Sequence, residues 1–237
     1  LAATGNADFG YFGGGTPGPL SSVDRIDYSN DTATASPKGP LSDARESLAA
    51  TGNSSFGYFG GGTSPKVSTI DRIDYSNDTA TAVAKGPLAS GINAEFAATS
   101  SRANAMPLKG PGNLEVPVAF GAFSRNFGPQ GTDFGYFAGG TGAVSTIDRI
   151  DYSNDTATAA EKGPLSVARY GVGATGNASF GYFGGGYTPS TQSTIDRIDY
   201  SNDTATAVEK GPLSVARNHI GATGNQSFGY FAGGTGS

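Results

Sequence analysis

One sequence block recurs often enough to dictate the architecture. Phe-Gly-Tyr-Phe-(Gly/Ala)-Gly begins at Phe9, Phe56, Phe134, Phe180 and Phe228. Asp-Arg-Ile-Asp-Tyr-Ser-Asn-Asp-Thr-Ala-Thr-Ala begins at Asp24, Asp71, Asp148 and Asp196, and Lys-Gly-Pro at Lys38, Lys85, Lys109, Lys162 and Lys210. The regular period is about 47 residues, enough for four short strands and their turns. A unit of that size cannot bury its own apolar face, so it must stack on a copy of itself.

Within a unit, four strands can be placed. Leu48 to Thr51 is the expected first strand, and Gly52-Asn53 the turn, since both residues tolerate positive φ. Phe56–Phe59 alternates large and small residues as the second strand, which Gly60-Gly61-Gly62 ends. Ser68–Tyr75 is the expected third strand, Ser76-Asn77-Asp78 a turn, and Thr79–Val83 the fourth strand, closed by Gly86-Pro87. The small Ala and Thr side chains of that fourth strand suggest close approach between sheets. No apolar run keeps a 3.6-residue period, and Gly or Pro interrupts every window, so the chain reads as all-β. The 38 glycines and 13 prolines would suggest disorder if scattered, but they recur at fixed places beside the 14 Phe and 11 Tyr, which indicates packed strands.

An aromatic strand ending in a double glycine, an acidic strand ending in Tyr, a turn and a Pro-Leu…Arg connector together resemble the kelch repeat. The resemblance implies a β-propeller of about five four-stranded units, one of them degenerate, that is incomplete or completed by a neighbouring chain. It departs from the kelch pattern in having no Trp in the fourth strand, where Thr34, Thr81, Thr158 and Thr206 are expected instead. The near-identical wording of the blocks also resembles repeat-rich proteins of marine bacteriophages, thought to be virion fibre or adsorption components. A single repeat domain over 1–237 is expected, with units at approximately 1–47, 48–88, 114–171 and 172–219, a half unit at 220–237 and a degenerate insert at 89–113.

The pattern breaks between Phe56 and Phe134. Lys-Gly-Pro returns early at Lys109, and 89–108 reads as two degenerate strands, Ile92–Thr99 and Ala103–Leu108, or as a loop. Leu114–Phe123 is the longest apolar strand candidate. Five leading hairpins against four trailing ones leave Ile220–Gly234 without outer strands. Phe228, Tyr230 and Phe231 on that hairpin are therefore the expected assembly residues, pairing with another copy by strand addition or exchange.

Several chemistries can be weighed. Asp24, Asp27, Asp71, Asp74, Asp148, Asp151, Asp196 and Asp199 have the density of a calcium site. However, they straddle a strand and a turn, so alternate members point to opposite faces, whereas a calcium ion needs six to eight converging oxygens. Turn capping and Asp–Arg pairing are the preferred reading, with calcium as the alternative. Asn30, Asn77, Asn154 and Asn202 open Asn-Asp-Thr sequons, and Asn53, Asn177 and Asn225 open Asn-x-Ser ones; these are possible glycosylation sites, although turns favour such residues anyway. His219 is the only histidine and sits in no recognisable catalytic motif. The Gly-Gly-Gly runs neither open a helix nor precede Gly-Lys-(Ser/Thr). Without cysteine, disulfides, thiolate metal sites and a Cys–Tyr copper centre are ruled out.

The formal net charge of −5 and the lack of a basic cluster argue against nucleic acid, and no apolar stretch approaches a bilayer span. No signal peptide is read at the start, and Leu1, in mid-pattern, suggests a mature or trimmed piece. The expectation is a non-enzymatic structural or adhesive repeat protein without cofactors, part of a phage virion fibre or an extracellular filament. Its partners would be itself and cell-surface glycan, and its location extracellular or the virion. A lectin-like glycan-binding propeller is the alternative, favoured if tyrosines near Asp are exposed at each blade; an enzyme with an unrecognised site is a remote third.

Overall fold

A computed structural model describes residues 1–63, 66–89, 94–100 and 134–236. Four antiparallel four-stranded sheets follow one another around a ring, in a four-bladed propeller arrangement. Blade 1 comprises β1 (Ala2–Gly5), β2 (Phe9–Gly13), β3 (Val23–Asp27) and β4 (Ser36–Pro37). Blade 2 comprises β5 (Ala49–Gly52), β6 (Phe56–Gly60), β7 (Ile70–Asp74) and β8 (Val83–Lys85). Blade 3 comprises β9 (Ala97–Ser100), β10 (Phe134–Ala138), β11 (Ile147–Asp151) and β12 (Ala160–Lys162). Blade 4 comprises β13 (Gly173–Gly176), β14 (Phe180–Gly184), β15 (Ile195–Asp199) and β16 (Val208–Lys210). Beyond it, β17 (Arg217–Asn218) pairs with β20 (Thr235–Gly236), and β18 (Gly221–Gly224) pairs with β19 (Gly229–Ala232) as a separate hairpin.

The repeat folds the same way each time because its turns satisfy themselves locally. Asn53 Oδ1 accepts from the backbone N–H groups of Ser55 and Phe56, closing the β5–β6 turn, and Asn6, Asn177 and Asn225 do the same in their hairpins. After β7, Asp74 caps a single 3₁₀ turn, Tyr75–Asn77, by accepting from Ser76. Gly61 and Gly62 end β6 at φ of 60° and 121°, a region that disfavours side chains, as expected from the double glycine.

The strands within a blade share one register. Phe56 faces Asp74, Tyr58 faces Arg72 and Gly60 faces Ile70 across β6–β7, and the equivalent pairs recur in the other blades. On one face Arg72 lies diagonally over the Phe56 ring at 4.4 Å, and the corresponding Arg–Phe pairs stand at 3.9–4.2 Å. The core lies between blades. Tyr11, Tyr58 and Tyr136 are fully buried there, each stacked on the Tyr that follows the third strand of the next blade.

The fourth strand is displaced from its expected position. It spans Val83–Lys85, Ala160–Lys162 and Val208–Lys210, so Thr81, Thr158 and Thr206 lie outside it, as Thr34 does in blade 1. The Thr-Ala-Thr-Ala stretch instead reaches across to the preceding blade: Ala82 N–H donates to Pro40 O, and Asp78 O accepts from Gly39 N–H, both at 2.8 Å. The blade-to-blade seam therefore wins these backbone groups from the sheet. The third strand is also shorter than expected, at Ile70–Asp74.

Blade 3 also departs from the expected boundaries. Its first strand is Ala97–Ser100, paired with β10, whereas the sequence placed that segment in the insert and began the third unit at 114. Ala-Ala-Thr-Ser matches the Ala-Ala-Thr-Gly of β5, and the extra residues fall between the first and second strands. The strand candidates Ala103–Leu108 and Leu114–Phe123 lie outside the described residues.

Candidate functional site

The recurrent charged and hydroxyl side chains converge at the seams between blades. At the seam between blades 2 and 3, Asp155 accepts hydrogen bonds from Tyr58 Oη (3.0 Å) and Arg72 Nη1 (2.8 Å), and Lys85 Nζ lies 3.2 Å from its other oxygen. Asp78 holds Tyr11, Arg25 and Lys38 in the same way between blades 1 and 2. Asp203 holds Tyr136, Arg149 and Lys162 between blades 3 and 4. One carboxylate from each of blades 2, 3 and 4 thus ties together three strands of the blade before it.

A hydroxyl pair completes each seam. Thr51 Oγ1 meets Tyr152 Oη at 3.0 Å, and Thr4–Tyr75 and Thr99–Tyr200 repeat the contact at 3.2 and 3.3 Å. Burial, reinforced by Asp78, pushes the Tyr11 phenol up to about 12. Burial likewise raises Tyr58, Tyr75, Tyr136 and Tyr200 well above the ordinary phenol range.

A second ion pair lies deeper. Arg45 and Asp71 meet at 2.8 Å with side chains 1% and 0% exposed, and Ser42 also donates to Asp71. Arg169 and Asp196 reproduce this with Ser166, and Arg169 also donates to the carbonyls of Phe183 and Gly185. Desolvation lowers the Arg45 guanidinium below its usual value, against the pull of Asp71.

The aspartates singled out from the sequence therefore separate by role. Asp71, Asp148 and Asp196 are fully buried; Asp71 and Asp196 receive an arginine, and Asp148 receives Ala89 N–H. Asp27, Asp74, Asp151 and Asp199 lie at turns and accept from Ser29, Ser76, Ser153 and Ser201. These hydrogen bonds hold the Asp27, Asp74 and Asp199 carboxyls below the usual range. Asp24 is exposed. Among the described residues no three His, Cys, Asp or Glu side chains cluster as metal donors.

The ion pairs run between units: Arg72 meets Asp155, one blade on, and Asp71 meets Arg45. Sequence reasoning missed Asp78, Asp155 and Asp203 as the clamps; their signal was the third aspartate of the block, constant in every unit. Asn30, Asn77, Asn154 and Asn202 are exposed at the turn tips. His219 stands half-exposed at 3.8 Å from Glu95, with φ of 52°.

The seam beyond blade 4 is open. Tyr182, Arg197, Lys210 and Thr175 occupy the positions of Tyr58, Arg72, Lys85 and Thr51, but among the described residues no Asp or Tyr meets them. Their place is taken by a recess of about 280 Å³, lined by Thr175, Tyr182, Lys210, Gly211 and Phe228. The β18–β19 hairpin forms one wall. Its Phe231 ring packs over Gly184 as Phe137 packs over Gly60 between blades 2 and 3, while Phe228 and Tyr230 are 64% and 58% exposed. Arg217, the counterpart of Arg45 and Arg169, donates to Phe231 O, and its buried Nε has no acceptor.

No protein-family model matches the chain, and no curated protein is significantly similar to it.

Proposed function

We propose that the chain is a non-enzymatic structural and adhesive repeat protein, a component of a phage virion fibre or an extracellular filament. The observation that carries this reading is the use made of its reactive-looking side chains. At each closed seam the Tyr, Arg, Lys and Asp of the repeat are consumed in holding one blade to the next. A protein that spends its polar chemistry on stacking identical units is suited to transmitting load along an array. The blades are read as kelch-type on the double glycine after the second strand, at positive φ in each hairpin, although they lack Trp.

Electron microscopy tests the reading. Antibodies raised against the chain should decorate fibres on virions or filaments on cell surfaces of the source, and the purified protein should form elongated assemblies. Label confined to the cell interior would overturn it.

A second reading, a glycan-binding propeller, draws on the open recess, where Tyr182 and Phe228 stand beside Asn177 and Asn225. The condition set for it, exposed tyrosines near Asp at each blade, is not met at the closed seams, where Tyr58 and Tyr136 are fully buried. Binding on a glycan array, lost in Tyr182→Ala, would favour it.

A further inference from the structure

The two ends of the blade run are unmatched halves of the same seam. At one end, Tyr182, Lys210 and Thr175 line an open recess, and neither Arg197 nor Arg217 forms an ion pair among the described residues, where their counterparts Arg72 and Arg45 have Asp155 and Asp71. At the other end, blade 1 presents the groups that such a seam takes up. Tyr28 is 50% exposed where Tyr152 and Tyr200 are 8% and 6%. Asp31 is exposed where Asp78 is 7% exposed, and Asp24 is exposed where Asp71, Asp148 and Asp196 are 0%. The recess is cationic and the exposed turn is acidic.

We infer that the recess is the acceptor for the outer hairpin of blade 1, residues 22–40, of a second copy of this chain. This rests on the assembly reading above and names its contact. Asp31 takes the place of Asp155 against Tyr182, Arg197 and Lys210, Tyr28 stacks on Tyr182 as Tyr152 does on Tyr58, and Asp24 answers Arg217. The incoming β3 pairs with the unpaired edge of β19.

The donor frees its own β3 by exchange. The β18–β19 hairpin of the first copy replaces β1–β2 of the second, and the two carry the same Ala-Thr-Gly-Asn and Phe-Gly-Tyr-Phe. Exchange therefore restores the pairing it breaks and adds one complete seam. Because the contact is head-to-tail, it propagates.

Gly211 provides a test that leaves the fold untouched. At the three closed seams a Cβ on Gly39, Gly86 or Gly163 would lie 1.7–2.0 Å from a carbonyl oxygen of the next blade, whereas at Gly211 it would meet nothing within 4 Å. A fluorescent peptide of residues 22–40 is titrated into the full chain, and the full chain is sedimented over a range of concentrations. We expect saturable binding and concentration-dependent assembly. Gly211→Ala should weaken both about tenfold or more, with a melting midpoint unchanged at concentrations where both chains are monomeric, because a methyl there blocks only the docked state. Asp31→Asn in the peptide and Arg197→Ala in the protein should weaken binding similarly.

Failure of the peptide to bind, or equal binding by wild type and Gly211→Ala, would overturn the recess as acceptor. Peptide binding by a full chain that stays monomeric at every concentration would overturn the second copy as occupant. Peptide binding with assembly, but without antibody label on fibres, would support this inference and count against the fibre reading alone.

Discussion

The seam between blades 2 and 3 and the recess beyond blade 4 are built from the same side chains at equivalent positions, yet their environments differ. Lys85 is half-buried 3.2 Å from Asp155, while Lys210 is exposed; Gly86 is buried against a neighbouring carbonyl, while Gly211 is open. Tyr58 is wholly buried, whereas Tyr182 keeps part of its surface exposed. The contrast teaches that a blade does not bury its own polar residues. The next blade does so, by bringing one carboxylate and one tyrosine ring.

The largest effect that would sharpen this contrast is alkaline. An unfolded chain ionises its phenols near 10, while Tyr11 holds its proton to about 12 and the other seam tyrosines hold theirs longer. A raised folded-state pKa contributes stability fully present below pH 10 and lost as pH rises through the folded value. Urea midpoints measured from pH 8 to 12 should be level to about pH 10 and then fall. Stability unchanged at pH 12 would mean the phenols are not sealed in the seams.

Next in size is the buried ion pair. Asp71→Ala should cost about 3–5 kcal/mol by leaving Arg45 charged, buried and unpaired. Asp24→Ala at the free end, measured at concentrations where the chain is monomeric, should lie within about 0.5 kcal/mol of wild type. Similar losses in equilibrium urea unfolding would show that blade 1 has a partner in solution or that Arg45 does not need its carboxylate.

Close packing separates a third pair. Gly86→Ala places a methyl 1.7 Å from Ala157 O and should cost ~3 kcal/mol, the upper range for overpacking. Gly211→Ala should leave the thermal midpoint of the monomer where it is. Equal destabilisation would break the distinction between closed and open seams.

The smallest contrast isolates one hydroxyl. Tyr58→Phe removes a donor from Asp155 and should cost about 1.5 kcal/mol, because Arg72 and Lys85 still hold the carboxylate. Tyr182→Phe should change monomer stability by less than about 0.5 kcal/mol. Chemical denaturation of both variants beside wild type makes the comparison.

Much of this was legible beforehand where the controlling interactions are local. The Gly-Asn and Tyr-Ser-Asn-Asp turns are closed by side chains bonding two or three residues away, so Asn53 and Asp74 announce them in the sequence. The second strand is legible because Phe56-Gly57-Tyr58-Phe59 alternates bulk with a period of two. The start of blade 3 was less legible, because Ala97–Ser100 pairs with β10 across a long interval and a short Ala-rich strand carries little signal of its own. The fourth strand was misplaced for a related reason: Thr79–Val83 has the composition of a strand, but Ala82 N–H donates to Pro40 O of another blade, and Asp78 O just before the segment accepts from Gly39 N–H.

The sequence by itself determined the repeat, the all-β character and the turns, since each follows from periodicity or from bonds between near neighbours. Only the tertiary structure decided which aspartate meets which arginine. Asp71 and Asp155 are alike in sequence as acidic residues beside a strand end, but one turns inward to Arg45 of the connector and the other reaches back to Arg72 of the preceding blade. A repeat that supplies the same Asp and Arg in every unit does not say which unit partners which; the three-dimensional approach of blades selects these short-range pairs, where desolvation makes an unmatched charge costly. The same physics leaves the recess beyond blade 4 with its cations waiting, because nothing within the described residues brings it a carboxylate.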